Sequence, residues 1–382
     1  MTDRASLATR LARPWGEPAG PATPPIHQTS LFTFESYAAF AARMAGETDE
    51  PLYTRVQNPT VAAFEAMMAD LEGGEAAVGF ASGMGAISAT LLALARPGTR
   101  VACVEHVYPD TYRLLERLLR PMGVEVSYHP AEAFAEDSDL LRGVDLAYLE
   151  SPTSMTMEVV DLRRVGLHAR AHGALTVIDN SWATPVHQRP LESGIDVVLH
   201  SASKYVSGHS DTVAGVVVAS AALVGRLRDL TLPLLGAKLA PFEAWLLIRG
   251  LRTLVPRMRM HEATANLFVD RLAGRPEVTR VRSPGPNAVP GLTGRSGLLS
   301  IELAPGVDIP RFVDGLRHFR LGVSWGGFES LVVPAAITLA QAGEKNAAQR
   351  FGVSPHLVRL SLGLEDAEDL WTDFAAALEA AT

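Results

Sequence analysis

The stretch HSASKYVSGHSD, residues 200–211, holds one lysine, Lys204, among Ser201, Ser203 and Ser207, and it follows the apolar run Ile195–Asp196–Val197–Val198–Leu199. A lysine on a solvated face needs no such surroundings. The setting suits a lysine held at the end of a buried strand with hydroxyls arranged around it. Whether that strand exists depends on the pattern on either side.

Upstream, short apolar runs alternate with amphipathic ones. EAAVGFA (75–81), RVACVEH (100–106), DLAYLES (145–151), LTVIDNS (175–181) and DVVLHSA (196–202) read as strands. GMGAISATLLALA (83–95), TYRLLERLLRPMG (111–123) and LRRVGLHARAHG (162–173) read as helices between them. Continuous apolar strands separated by amphipathic helices predict an α/β fold with a mostly parallel sheet covered by helices on both faces. Functional residues in such sheets gather beyond the carboxyl ends of the strands. From about residue 226 to 262 the pattern turns helical, and shorter pieces follow: VTRVRS, GLLSIELA, the helical IPRFVDGLRHF (309–319), the strand VRLSLGLE (358–365) and a terminal helix AEDLWTDFAAALEA. The expected organisation is an N-terminal arm over 1–52, including the Pro/Gly-rich RPWGEPAGPATPP, a large domain over 53–240, and a smaller C-terminal α/β domain over 241–382.

Composition narrows the function. With 382 residues, 47% hydrophobic and a formal net charge of -8, the chain reads as a globular protein with no general surface for nucleic acid or anionic membrane. No run is apolar and long enough to span a bilayer, and the first residues lack a signal core, so the cytoplasm is the expected location. The single cysteine, Cys103, permits neither an internal disulfide nor a cysteine-based metal cluster and reads as a buried structural thiol. The eleven histidines form no HExxH-type pattern, so no metal is expected.

Three further features fall at predicted strand ends. SGMGAI (82–87) lies between a strand and a helix, where Ser82, Gly83 and Met84 either form a tight turn or bring backbone N–H groups to an anion. It is neither a GxGxxG fingerprint nor a GxxxxGK[ST] loop, which disfavours a nicotinamide dehydrogenase or a nucleoside triphosphate. In IDNSWATP (178–185), Asp179 is either a helix cap or a carboxylate that keeps a ring nitrogen protonated. ESPTSM (150–155) reads by itself as a loop. A phosphate cradle, an acid for a pyridinium and a lysine for an imine are the parts that pyridoxal 5'-phosphate requires.

The motifs YTRVQNPT (53–60), SGMGAI, VYPDTYRL (107–114), ESPTSMTMEVVDL (150–162), IDNSWATP, HSASKYVSGHSD, APFEAWLLIRGLRTL (240–254), SWGGFESL (324–331) and RLSLGLED (359–366) occur in an order that resembles the Cys/Met-metabolism pyridoxal-phosphate enzymes, the trans-sulfuration family. The resemblance implies the fold type I pyridoxal-phosphate transferase-like architecture. It implies that Lys204 is the imine lysine and proton-moving base, and that Asp179 pairs with the pyridine nitrogen. Gly83 and Met84 would offer N–H groups, and Ser201 and Ser203 hydroxyls, to the phosphate. Tyr108 would stack on the cofactor ring and help accept or steer a proton. Arg359 would hold the substrate carboxylate in a bidentate pair, Ser324 would place the Lys204 side chain, and Ser324 and Trp325 would join Arg359 in lining the substrate site. Tyr53 and Arg55 would reach the phosphate of a neighbouring subunit and the arm over 1–52 would contact that partner, which implies a homo-oligomer, at least a dimer with shared sites and in the expected form a tetramer.

Within the family, Ser154 and the following MTMEV, Trp182 and Trp325 resemble bacterial cystathionine β-lyases. Val323 stands where γ-synthases and γ-lyases commonly carry a glutamate that grips the far amino group of cystathionine. Other details differ: YTRVQNPT and APFEAWLLIRGLRTL resemble the γ-synthase branch, and Val323 also resembles methionine γ-lyases, although Asp110 replaces their cysteine. The expectation is a carbon–sulfur lyase of methionine biosynthesis that performs β-elimination of L-cystathionine to homocysteine, pyruvate and ammonia. The alternative is γ-elimination or γ-replacement, as in cystathionine γ-synthase, methionine γ-lyase or O-acetylhomoserine sulfhydrylase, or related chemistry on another amino acid. A catalytically silent pyridoxal-binding protein is the reading from a different class.

Overall fold

The computed structural model describes residues 5–13, 20–343 and 345–382. Part of the Pro/Gly-rich arm, residues 14–19, lies outside the described residues. Two sheets organise the rest. The first has seven strands: β1 (Ala76–Phe80), β2 (Arg100–Val104), β3 (Glu125–His129), β4 (Leu146–Glu150), β5 (Leu175–Asp179), β6 (Val197–His200) and β7 (Gly215–Ala219). Their spatial order is β1-β7-β6-β5-β4-β2-β3. Strands β2 to β6 run parallel, and only β7 is reversed, pairing antiparallel with both β1 and β6.

The central strands are apolar on both faces because both faces are covered. Every residue of β4, β6 and β7 is buried. On one side Ile87 and Leu91 from the helix Gly83–Leu94 join Val165 from the helix Leu162–His172. On the other, Phe64 and Met68 from the helix Pro59–Glu72 meet Leu247 and Leu251 from the helix Pro241–Arg252. Leu11, in a short helix of the arm, is buried in that second layer, and Arg10 pairs with Asp70 at 2.8 Å. At least this part of the arm is therefore docked on its own chain. Cys103 is fully buried, as the apolar strand around it predicts.

The second sheet contains β8 (Val278–Arg282), β9 (Leu298–Leu303), β10 (Arg320–Leu321), β11 (Leu331–Pro334) and β12 (Leu357–Ser361), in the order β10-β11-β12-β9-β8. Phe268, Phe312 and Phe374 pack edge-on beneath it. The predicted helix over 309–319 stops at Gly315, because the N–H groups of Arg317 and His318 donate to the Asp373 carboxylate instead of continuing the helical ladder. No helix among the described residues is long and apolar enough to cross a membrane.

The strand directions place the carboxyl ends of β1, β2, β4, β5 and β6 along one edge of the first sheet. Glu150 and Asp179 are the last residues of β4 and β5, and Ser82, Tyr108 and Lys204 follow β1, β2 and β6 in the chain.

Candidate active site

Lys204 lies in the turn after β6, where its backbone N–H donates to Ser201 O and its own carbonyl accepts from Gly208. Gly208 has a φ of 70°, and a Cβ there would drive into the Arg257 guanidinium, so the turn requires glycine. The Lys204 amine donates to Ser324 Oγ at 2.5 Å and lies 5.3 Å from the centre of the Trp325 ring. Burial, and then the cation of Arg359, lower the Lys204 amine from its ordinary value to about 8, against an opposing pull from Asp179.

Asp179 ends β5 beside β6. Its Oδ1 accepts from the backbone N–H of Ser181 at 2.9 Å and from the Ser181 hydroxyl at 2.5 Å. It does not cap the next helix, Thr184–His187, whose N-cap residue is Ala183. Burial raises the Asp179 carboxyl, while Ser181, His200 and Lys204 oppose that rise. Behind it lies a fully buried pair, His200 Nε2 and Glu72 Oε1, 2.6 Å apart, and Asn180 donates to the same glutamate oxygen at 3.0 Å.

Ser82 caps the helix Gly83–Leu94 by accepting from Gly85 N–H at 2.8 Å. The N–H groups of Gly83 and Met84, in its first turn, have no carbonyl within the helix to bind. A Cβ on Gly83 would lie 2.8 Å from both Cβ and Oγ of Ser201. Glycine thus lets this helix end approach the Lys204 turn. Ser201 presents its hydroxyl to that junction, while its own N–H donates to Ser181 Oγ at 2.7 Å. Ser203 differs from expectation: its hydroxyl exchanges hydrogen bonds with the backbone of Ala214, donating at 3.2 Å and accepting at 2.9 Å, and thereby braces the turn.

Tyr108 stands before the helix Pro109–Leu114. Its backbone N–H donates to Glu150 Oε2 at 2.7 Å, and Glu150 Oε1 accepts from Ser154 N–H at 2.6 Å. Glu150, whose motif read only as a loop, therefore ties the tyrosine loop to the segment after β4. Burial and the neighbouring Asp179 raise its carboxyl to about 7. Arg359, on β12, reaches across from the second sheet: Nη1 donates to Ser154 O at 3.1 Å and Nη2 to Ser324 O at 3.5 Å. Burial lowers its guanidinium to about 10, with Glu150 and Tyr108 acting in the opposite sense. A guanidinium of that value stays charged at neutral pH, as carboxylate binding requires.

Tyr53 and Arg55, expected at the phosphate of a neighbouring subunit, stand apart from this cluster. Tyr53 and Arg55 touch each other, the guanidinium 5.6 Å from the ring centre, and Arg55 donates to Pro233 O. No hydrogen bond or ion pair among the described residues links either to Lys204, Asp179 or Gly83. Trp182 is buried and donates to Leu298 O at 2.9 Å, so it serves the packing of the two sheets. Trp325 is likewise buried, beside Tyr205, with its ring towards the lysine. No group of acidic, cysteine and histidine residues among those described could hold a metal ion.

The donor set fits pyridoxal phosphate: free helix N–H groups at a glycine too close to Ser201 for any side chain, a buried carboxylate, and a lysine whose amine is readily neutral. Residues 11–379 match the family described as Cys/Met metabolism PLP-dependent enzyme, and the chain belongs to it. It is accordingly a pyridoxal-phosphate-dependent lyase of amino-acid metabolism. Among similar proteins, an L-methionine gamma-lyase of Pseudomonas putida is 41% identical over 376 residues, covering 94% of this chain and 93% of the relative. A cystathionine beta-lyase of Lactococcus lactis subsp. cremoris is 36% identical over 373 residues, with 94% of each chain covered. The crystal structure of cystathionine gamma synthase from Xanthomonas oryzae pv. oryzae, in complex with aminoacrylate and cysteine, superposes with a TM-score of 0.89 at 35% identity, covering 99% of this chain and 98% of that one.

Proposed function

We propose that this lyase catalyses γ-elimination from an L-amino acid with a short uncharged thioether, of which L-methionine is the simplest, releasing a thiol, ammonia and 2-oxobutanoate. Val323 carries this reading. It is 85% exposed beside Ser324 and offers no carboxylate to a distal ammonium. The 41% identity to a protein named L-methionine gamma-lyase supports the same choice.

Bound pyridoxal phosphate supplies an electron sink for charge developing at the substrate α-carbon. The residues of this chain do the rest. Gly83 and Met84 give their N–H groups, and Ser201 its hydroxyl, to the phosphate. Asp179 keeps the ring nitrogen protonated, steadied by Ser181. Lys204 anchors the cofactor and, once released by substrate, takes the proton from carbon, with Ser324 and Trp325 setting its direction. Arg359 binds the substrate carboxylate. The leaving sulfur receives its proton from Lys204 or Tyr108. Tyr53 and Arg55 complete the phosphate site of a second copy, so the working unit is at least a dimer.

β-Elimination of L-cystathionine is the second reading, and the position of Trp325 against Lys204, in a motif resembling bacterial β-lyases, favours it. The deciding experiment offers the purified holoprotein L-methionine and L-cystathionine separately and identifies the keto acid. 2-Oxobutanoate with methanethiol from methionine supports the proposal. Pyruvate with homocysteine from cystathionine, and no turnover of methionine, replaces it with the second reading. Turnover of neither overturns both substrate assignments.

A further inference from the structure

Glu72 is a carboxylate in an unfavourable place. It is the last residue of the helix Pro59–Glu72, fully buried, at the negative end of the helix dipole. Its Oε2 is buried without a hydrogen-bond partner, and so is His200 Nδ1 on the residue that faces it. An apolar side chain of the same volume would pack there without that penalty, so stability alone does not account for an acid.

The other oxygen of Glu72 joins two strands. Asn180, which follows β5, donates to Glu72 Oε1 at 3.0 Å, and the His200 ring, at the end of β6, lies 2.6 Å from the same atom. The Asn180 amide oxygen is taken by Gln188 Nε2 at 3.0 Å, which leaves its NH2 to face Glu72. Oε1 is therefore an acceptor, and His200 carries its proton on Nε2.

Both donors adjoin residues of the site: Asn180 lies between Asp179 and Ser181, and His200 precedes Ser201. Asp179 pairs in register with Leu199, and Asn180 N–H continues the ladder to Leu199 O at 2.9 Å. Side chains alternate along such a ladder, which turns Asn180 and His200 towards the helix Pro59–Glu72 and Asp179 away from it. At the site itself Ser181 Oγ joins the same two strand ends, donating to Asp179 and accepting from Ser201 N–H.

We propose that Glu72 is a positioning residue: by clasping Asn180 and His200 it locks the end of β5 to the end of β6, and so holds Asp179 against the pyridine nitrogen of a cofactor anchored at the Lys204 turn. The inference rests on the assignment of Asp179 to that nitrogen and adds the group that maintains it. Glu72 acts through the strand ends and not on the cofactor directly.

Fluorescence titration of the apoprotein tests this, with pyridoxal phosphate and with its deaza analogue, in which carbon replaces the ring nitrogen. Glu72→Met keeps the volume and removes the acceptor. It should raise the dissociation constant for pyridoxal phosphate roughly 10-fold, the worth of a hydrogen bond to a charged group, and leave that for the analogue within about 2-fold. Glu72→Gln keeps an acceptor oxygen for both donors and should restore most of the affinity. Equal losses for the two ligands would show that Glu72 only packs the core, and no loss would show that Asp179 is held without it; either overturns the proposal. If Glu72→Met does not fold, His200→Phe removes one of the two donors and carries the same predictions for the two ligands. Asp179→Asn is the control. Should it weaken both ligands equally, the ring-nitrogen assignment itself falls, and the role of Glu72 falls with it.

Discussion

Lys204 and Ser324 meet at 2.5 Å, and they come from different halves of the chain: the lysine from the turn after β6, the serine from the loop before β11. Ser324 holds a φ of 86°, a left-handed conformation that a non-glycine residue adopts at a cost of about 1–3 kcal/mol. The surrounding packing imposes that conformation, and the result is a hydroxyl aimed at the amine. Replacing Ser324 by Gly should relieve the backbone while removing the hydrogen bond. A bond to a charged or readily charged group contributes about 1.5–3 kcal/mol, so kcat should fall by roughly 10- to 100-fold with thermal stability kept or raised. Lys204→Ala should abolish turnover. Steady-state kinetics with a melting curve check both, and a Ser324→Gly enzyme with native kcat would remove Ser324 from the site.

The lowered Lys204 amine has a consequence in the apoprotein. Its ordinary value is 10.5, and here it titrates near 8. A group whose value is lowered is neutral above the lowered value, so the apoprotein should capture pyridoxal phosphate faster as pH rises through about 8, then level off. A solvated lysine would still be climbing towards its ordinary value. The cation of Arg359 is the second cause of the lowering, after burial. Arg359→Met should therefore move the midpoint upward. Stopped-flow capture rates across pH read both effects, and a rate still rising steeply through pH 10 in the native protein would contradict the first.

Much of this site was legible because its residues sit where strands end. Lys204, Asp179 and Gly83 each follow an apolar run that, among alternating amphipathic helices, reads as a buried strand, and the parallel arrangement brings those ends to one edge. What stayed hidden depended on contacts that no local pattern carries. Glu150 receives its N–H donors from Ser154, four residues on, and from Tyr108, 42 residues earlier, so ESPTSM looked like an ordinary loop. Ser203 stands two residues after Ser201 in the same motif, yet its hydroxyl faces the backbone of Ala214. Trp182 looked like a marker of substrate choice, but its indole is occupied by Leu298 of the second sheet. The run GVVVA would have suited a buried strand in either direction; only its pairing with β1 and β6 reveals that β7 is reversed.

Gly83 is where cofactor affinity should be most sensitive to a single methyl group. In Gly83→Ala the new Cβ would press on Cβ and Oγ of Ser201 at 2.8 Å and on its Cα at 3.1 Å. Either the helix end or the Lys204 turn must give way, and both contribute to the proposed phosphate cradle. The dissociation constant for pyridoxal phosphate should rise by roughly 5- to 150-fold, on the scale of about 1–3 kcal/mol that overpacking costs. Fluorescence titration of the apoprotein measures it. An unchanged constant would mean that the phosphate is held elsewhere.

Val323 offers the sharpest handle on substrate choice. At 85% exposed it can be exchanged for a charged residue without disturbing a core. In Val323→Glu a carboxylate would stand beside Ser324, where a substrate with a distal ammonium gains an ionic contact. That contact lies in solvent, so it contributes only about 0.2–1 kcal/mol, or roughly a 1.5- to 5-fold gain in kcat/KM for L-cystathionine. For L-methionine the same change sets a hydrated carboxylate beside a methyl thioether that cannot pair with it, and kcat/KM should fall. Raising the salt concentration should erase the gain for cystathionine and leave the methionine loss largely in place, since screening acts on the ion pair and not on the mismatch with an apolar group. Competition between the two substrates, followed by the thiol and keto acid released, reads the switch directly. Equal changes for both substrates would show that Val323 does not face the distal end of the substrate.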